Sequence, residues 1–482
     1  MGAMTGSLLK TYADCDALDL ASLVKRGEVS PMELVEAAIT LVEHLNPQLN
    51  AVVHRLYDAG RASAAMVDRH APFAGVPFLL KELGTAFEGA PLTNASRYLQ
   101  DRVATADSQA VRRIRAAGLV TIGRSNAPEF GLSITTEPRL YGATRNPWRR
   151  EATAGGSSGG AAAAVATRMV PMAEANGGAG SIRLPASCCG VVGLKPSRGR
   201  VNLSAPADLW YGGVASFCCT RTVRDTAAYL DALARGPASE PQALSWPEES
   251  WLQLSARMPR RLRIAFTVTS PNGMPVDPQV KAAVLAAAKE LEGFGHSIEE
   301  HDMPLDGDAA WRIYARMVPA RAAAEFRRLE TVVGRRVTRD DVEPVTWAII
   351  ERGRGADSGQ HARDDQELRQ LGRAVADDLM PYDIFITPTL TQLPRPVGYY
   401  DMGDGDLDRY LSRWSDAVFA FPFNISGLPA ISLPLGWTAD EIPIGVQLAG
   451  RHGDEASVLA ISTQLEHAMP WKDRRPKGGA PS

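Results

Sequence analysis

Three separated groups of residues carry the chemistry in this chain: Lys81, the run Gly155-Gly156-Ser157-Ser158-Gly159-Gly160, and the run Gly177-Gly178-Ala179-Gly180-Ser181-Ile182-Arg183. Together they provide a candidate nucleophile, a proton relay and a base without calling on a histidine. A serine hydroxyl attacks poorly until a base takes its proton, and a lysine becomes such a base when burial disfavours its charged form. Lys81 closes the apolar run Ala74-Gly-Val-Pro-Phe-Leu-Leu80 and is suited to that role. The small residues before Ser181 let successive backbone N–H groups crowd around one point, as an oxyanion hole requires, and a serine at the end of the run is placed to attack. Alone, Gly-Gly-Ala-Gly-Ser reads equally well as a tight turn. Its combination with Lys81 is what favours chemistry.

The Gly/Ser run itself has rival readings. A flexible linker has this composition, but a linker would lead into polar sequence, whereas this run leads into Ala161-Ala-Ala-Ala-Val-Ala166. That is a strong helix start, so the run reads better as a tight turn at a helix N-terminus. It also fits Gly-x-Ser-x-Gly, the nucleophile elbow, yet the elbow needs an apolar strand just ahead, and Trp148-Arg-Arg-Glu-Ala-Thr153 is polar. Nothing around His452 or His467 marks either as a triad partner. Ser7-Leu-Leu-Lys10 fits Ser-x-x-Lys without its companion motifs. Of five cysteines, four are the adjacent pairs Cys188-Cys189 and Cys218-Cys219, which neither forms a disulfide framework nor has zinc-ligand spacing. The eight histidines are scattered. Buried structural thiols and no metal site are the expectation.

These groups need a scaffold, and the rest of the chain describes one. The 482 residues are 45% hydrophobic and 22% charged, ordinary for a globular protein with a large core. A net charge of −3 with no long basic run points away from nucleic acid and anionic membranes and toward a small-molecule substrate. No signal-peptide-like or membrane-spanning stretch is evident, which reads as cytoplasmic. Helical spacing covers 17–26, 31–45 and 52–67, with Ser30 as N-cap ahead of Pro31. Apolar runs at 74–80 and 118–123 flank a helical pattern over 110–117 and read as strands buried on both faces. A strand–helix–strand unit follows at 263–266, 280–291 and 296–298, and late strands at 383–387, 430–435 and 443–448. The class is α/β, with a central mixed sheet covered by helices. The parts are an N-terminal helical segment (5–70), a core bearing the candidate site (71–235), a more variable, largely helical insertion with the strand–helix–strand unit (236–380), and a return to the core sheet (381–475).

Lys81 after Gly-Val-Pro-Phe-Leu-Leu, Gly-Gly-Ser-Ser-Gly-Gly, and Gly-Ser-Ile-Arg-Leu-Pro-Ala, with Ser181 at a 24-residue spacing from Ser157, resemble the amidase signature family. The likeness extends through Gly123-Arg-Ser-Asn-Ala-Pro-Glu-Phe-Gly131, Gly193-Leu-Lys-Pro196, Thr222-Val-Arg-Asp225, Ile386-Thr-Pro388 and Phe423-Asn-Ile-Ser-Gly-Leu-Pro-Ala-Ile431. Thr136-Glu-Pro138, Gly142-Ala-Thr-Arg-Asn-Pro-Trp148 and Pro470-Trp471 are similar to its 6-aminohexanoate-cyclic-dimer hydrolase branch. The resemblance implies the amidase-signature fold and an amide hydrolase with Ser181 as nucleophile, Ser157 as bridging serine after a cis peptide bond, and Lys81 as base. The N–H groups of Gly178, Ala179, Gly180 and Ser181 would hold the oxyanion, Ser158 and Arg183 would support the loops, and no cofactor is needed.

In one place the chain departs from the family: the usual pattern is Asp-x-Gly-Gly-Ser, and Gly177 replaces the acid. Phe130, Leu132, Tyr141, Trp210, Tyr211 and Trp347 are candidates for an apolar pocket. Such a pocket suits small aliphatic or aryl amides, with carbamates and esters sharing the chemistry. The alternatives are a glutamine-hydrolysing A subunit of a tRNA-dependent amidotransferase and a catalytically silent scaffold. A monomer or homodimer is expected.

Overall fold

The computed structural model describes residues 6–201, 212–234 and 243–479. Its apolar runs become strands of one sheet: β1 (Val52–Arg55), β2 (Pro77–Lys81), β3 (Val120–Ser125), β4 (Met172–Gly177), β5 (Val192–Lys195), β6 (Ala215–Thr220), β7 (Arg263–Phe266), β8 (Ser297–Glu300), β9 (Ile384–Pro388), β10 (Ala430–Trp437) and β11 (Pro443–Gly450). Their order is β1-β3-β2-β4-β6-β5-β10-β11-β9-β7-β8. β2 runs parallel to both β3 and β4, and β7 to both β8 and β9, while the other pairings are antiparallel. Every residue of β2, β3 and β9 is buried, because helices cover both faces. Fully buried Phe78, Leu79 and Leu80 each contribute roughly 1.5–3 kcal/mol by leaving water.

The N-terminal helices begin as their caps dictate. Ser30 Oγ accepts from Glu33 N–H at 3.2 Å while the Glu33 carboxylate accepts from Ser30 N–H at 2.8 Å, a reciprocal capping box ahead of the helix Pro31–Leu49. The helix expected over 52–67 is corrected: its first four residues are β1, paired antiparallel with β3. Val52 and Val53 are β-branched and fit a pleated ladder, and Leu56 N–H still donates to the Ile122 carbonyl at 2.9 Å. The helix Tyr57–Met66 starts only after that bond.

The strand–helix–strand unit forms as β7, the helix Pro278–Gly293 and β8, and extends the far edge of the sheet. The helix Gly307–Val333 carries Ile313, Tyr314 and Met317 into the main core. A smaller cluster of Tyr98, Leu99, Phe326, Leu329, Val337, Val342 and Ile350 joins this region to the segment after β2. Cys188, Cys189, Cys218 and Cys219 are buried free thiols. Among the described residues no helix is long and apolar enough to cross a membrane.

Candidate active site

β2 and β4 are parallel neighbours, so their C-terminal ends lie side by side, the usual place for a site in such a sheet. β2 ends in Lys81, and β4 ends in Gly177 at the head of the second glycine run. The first run turns directly into the helix Gly159–Ala166, all of it buried. It is packed too tightly for a linker: a Cβ at Gly156 would lie 2.3 Å from the Thr135 carbonyl oxygen. Thr136 Oγ1 pins the turn, donating to the Gly155 carbonyl at 2.9 Å and accepting from Gly159 N–H at 3.0 Å. The Gly156–Ser157 peptide is cis.

This packing seats Ser157 against Lys81. Lys81 is fully buried, and its Nζ donates to Ser157 Oγ at 2.7 Å and to the Asn176 carbonyl at 2.8 Å. Burial pushes its ammonium down to about 7, against the opposing influence of Glu174 and Cys219, so the neutral amine is well populated near neutral pH. Ser158 Oγ donates to the Asn176 carbonyl and accepts from Asn176 N–H, both at 3.3 Å, tying the turn to β4.

Ser181 lies four residues beyond β4 and keeps 9% exposure. Among the described residues, nothing accepts a hydrogen bond from the N–H groups of Gly178, Ala179, Gly180 or Ser181. Three donors before a serine, with the serine's own N–H, can hold a developing oxyanion. The Lys81–Ser157 contact is closed, while no hydrogen bond joins Ser157 Oγ to Ser181 Oγ; catalytic hydrogen bonds are often long before substrate binds. Gly177 (φ +156°) touches Ser181 directly, since a Cβ there would sit 2.3 Å from Ser181 Cβ and 2.7 Å from its Oγ. In this backbone the position of the family's usual acid has no room for a side chain.

Arg183 is fully buried and faces amide oxygens rather than a carboxylate. Its Nη1 donates to Gln447 Oε1 on β11 at 2.6 Å, its Nη2 donates to Asn424 Oδ1, and burial pushes its guanidinium down to about 9. It thereby fastens the helix after Ser181 to the far half of the sheet.

The pocket candidates separate. Phe130 and Leu132 flank Gly131, where a Cβ would lie 3.7 Å from Ser157 Oγ; the Phe130 ring is 4.6 Å from Phe326, and the Leu132 carbonyl accepts from Tyr410 Oη at 2.9 Å. Tyr141 Oη is instead bonded to His54 Nε2 at 2.8 Å and Thr93 Oγ1 at 2.7 Å, in a polar network around Glu82. Trp347 packs on the smaller core cluster under Arg354, 5.4 Å from its ring. Trp210 and Tyr211 lie outside the described residues.

Several site neighbours escaped the sequence reading. Asn176 acts through its carbonyl, which no side chain announces. Glu174, an acid inside the run Met172-Ala-Glu-Ala175, was a usable signal. A Cβ at Gly180 would sit 2.8 Å from Ala420 Cβ and 3.0 Å from Leu184 Cγ, so aliphatic side chains back this loop.

A buried lysine hydrogen-bonded to a serine, beside a loop of unpaired N–H groups, is equipment for acyl transfer. The chain belongs to the amidase family, whose model matches residues 33–459. It is 37% identical to the 6-aminohexanoate-cyclic-dimer hydrolase of Paenarthrobacter ureafaciens over 96% of each chain, and 34% identical to an acylamidase of Rhodococcus erythropolis over 95% of this chain and 96% of that one. A solved 6-aminohexanoate cyclic dimer hydrolase with bound substrate superposes with a TM-score of 0.91 at 36% identity, covering 96% of this chain and 99% of that one. A bacterial aryl acylamidase gives 0.86 at 29% identity, covering 95% and 97%. The protein is accordingly an amide C–N hydrolase of the α/β amidase-signature fold.

Proposed function

We propose that the enzyme cleaves small aliphatic or aryl amides, linear or cyclic, through an acyl-enzyme on Ser181. The observation that carries this is the 2.7 Å contact between buried Lys81 Nζ and Ser157 Oγ. Neutral Lys81 takes the Ser157 proton as Ser157 takes that of Ser181, and Ser181 Oγ attacks the carbonyl carbon. The oxyanion rests on the N–H groups of residues 178–181. As the C–N bond breaks, Ser157 returns a proton to the leaving nitrogen and recovers one from Lys81. Water then enters by the same relay in reverse, releasing the acid and restoring Ser181. Carbamates and esters pass through the same tetrahedral geometry and are further substrates on this reading. The Phe130 ring packed on Phe326 beside Gly131, together with relatives named for a cyclic amide and for acylamides, supports apolar acyl or anilide groups.

Release of 4-nitroaniline from a panel of acyl nitroanilides, with covalent labelling by phenylmethanesulfonyl fluoride, tests the reading. Ser181→Ala is expected to abolish both turnover and labelling. Substantial turnover in that variant places the nucleophile elsewhere, and glutamine hydrolysis stimulated by a copurifying subunit would favour the amidotransferase reading.

A further inference from the structure

We propose that Glu174 is a positioning residue for Lys81: its carboxylate holds the lysine's main chain while the same strand holds its amine. The inference rests on the relay described above. Parallel pairing of β2 with β4 runs through Phe78↔Met172 and Leu79↔Ala173. Beyond that register Lys81 N–H donates to Glu174 Oε2 at 2.9 Å, and Thr85 Oγ1 donates to Glu174 Oε1 at 2.5 Å. Two residues further along β4, the Asn176 carbonyl accepts from Lys81 Nζ at 2.8 Å. One strand therefore grips the lysine at both ends, and the grip at the main chain depends on a side chain.

A buried acid between Ala173 and Ala175 is costly unless its oxygens are used, and both oxygens of Glu174 are. Its surroundings leave it as the acid facing Lys81. From β3, Arg124 donates to the Lys81 carbonyl at 3.0 Å and the Thr85 carbonyl at 2.6 Å, with its Nε 3.3 Å from Glu82 Oε2. Glu82 also lies 3.6 Å from His54 of β1. On β6 the Cys218 thiol, in register with Glu174, lies on the acid's side of the sheet with Tyr229 of the helix Val223–Leu233, and the Cys219 thiol lies on the side of Lys81. Burial raises the Glu174 proton affinity above that of an ordinary glutamate, and the bonds from Thr85 and Lys81 with the charges of Arg124 and Lys81 offset part of that rise. As a carboxylate, Glu174 favours the protonated form of Lys81 and offsets part of its desolvation.

The test is the pH profile of kcat/KM for 4-nitroanilide hydrolysis in wild type, Glu174→Gln and Glu174→Met, with the rate of sulfonyl fluoride labelling as second readout. Glu174→Gln keeps an acceptor and removes the charge, so its acid limb is expected to move about one pH unit lower, a tenfold change in the proton affinity of the base. Glu174→Met also removes the acceptor. Its kcat on the alkaline plateau is expected to fall about tenfold or more with KM within about twofold, because the lysine rather than the substrate site is disturbed. A Glu174→Gln profile superposable on wild type overturns the proposal, as does a folded Glu174→Met enzyme with wild-type kcat. If Glu174→Met fails to fold, the glutamine variant decides. Failure of the relay itself looks different: wild type would then lack the acid limb or resist labelling.

Discussion

Replacing Gly177 with alanine is expected to cripple turnover while leaving a folded protein. The new Cβ would lie 2.3 Å from Ser181 Cβ, about 1.2 Å inside the ~3.5 Å at which two carbon atoms rest. Rotating the hydroxyl relieves the 2.7 Å contact with Oγ but leaves the Cβ contact unchanged, so the backbone carrying Ser181 and the oxyanion donors has to move by about 1 Å. A misplacement of that size costs on the order of 10²-fold in rate, or ~2.7 kcal/mol of transition-state stabilisation. Gly177→Asp would restore the family's usual acid but introduces the same Cβ, and is expected to lose at least as much. The assay is kcat on a 4-nitroanilide substrate, normalised to folded protein by thermal melt and to active sites by sulfonyl fluoride titration. If Gly177→Ala retains kcat within threefold of wild type, the contact does not fix Ser181 and the reasoning is wrong. A gain of activity in Gly177→Asp would refute it more strongly, by showing that the loop accommodates the acid.

The remaining expectations concern titration. On the proposed relay Lys81 must be neutral to accept a proton, and its affinity is pushed down to about 7, so kcat/KM should rise with pH through about 7 and fall away on the acid side; a rate flat from pH 5 to 9 would remove Lys81 as the base. Glu343 is pushed up to about 8 by burial and then by the neighbouring Glu129 carboxyl. An unfolded glutamate titrates near 4.3. The native state therefore holds an extra proton between those values, so this stabilisation is complete below about 4.3 and is lost as pH rises through about 8. Glu343→Gln should raise Tm at pH 9 by about 2 °C or more relative to pH 6, and equal Tm differences in the two proteins would exclude it.

The parts of the site that could be read from sequence are those where residue type is itself the chemistry. Lys81, Ser157 and Ser181 stand out because a lysine ending an apolar run and serines inside glycine runs are unusual without a reason. Strands β2, β3, β7, β9, β10 and β11 were legible as short apolar runs between turn residues. β4 was not, because Glu174, Asn176 and Gly177 interrupt its apolar pattern, and those three residues are the ones that shape the site. β1 was hidden because Val52-Val53-His54-Arg55 runs without a break into a helical period, and only pairing with β3 decides between the two. Tyr141 has the composition of a pocket residue, but its hydroxyl finds partners in His54 and Thr93, a choice that depends on residues 87 and 48 positions away in the chain.

A second buried lysine gives the proposed base a comparison. Lys195, at the end of β5, donates to the Pro196 carbonyl at 2.7 Å, and burial followed by the charges of Arg183 and Arg198 holds it well below the ordinary lysine range, with only Glu455 opposing. A general base works best when its affinity lies near the working pH. Burial lowers the affinity of both lysines; at Lys195 two cationic neighbours add to it, whereas at Lys81 Glu174, and then Cys219, oppose it. On this view β4 does two jobs in six residues: it tunes the base from one side of the strand's end and delivers Ser181 from the loop beyond it. A change at Glu174 should therefore alter the pH at which the enzyme works, whereas a change at Gly177 should alter its rate at every pH.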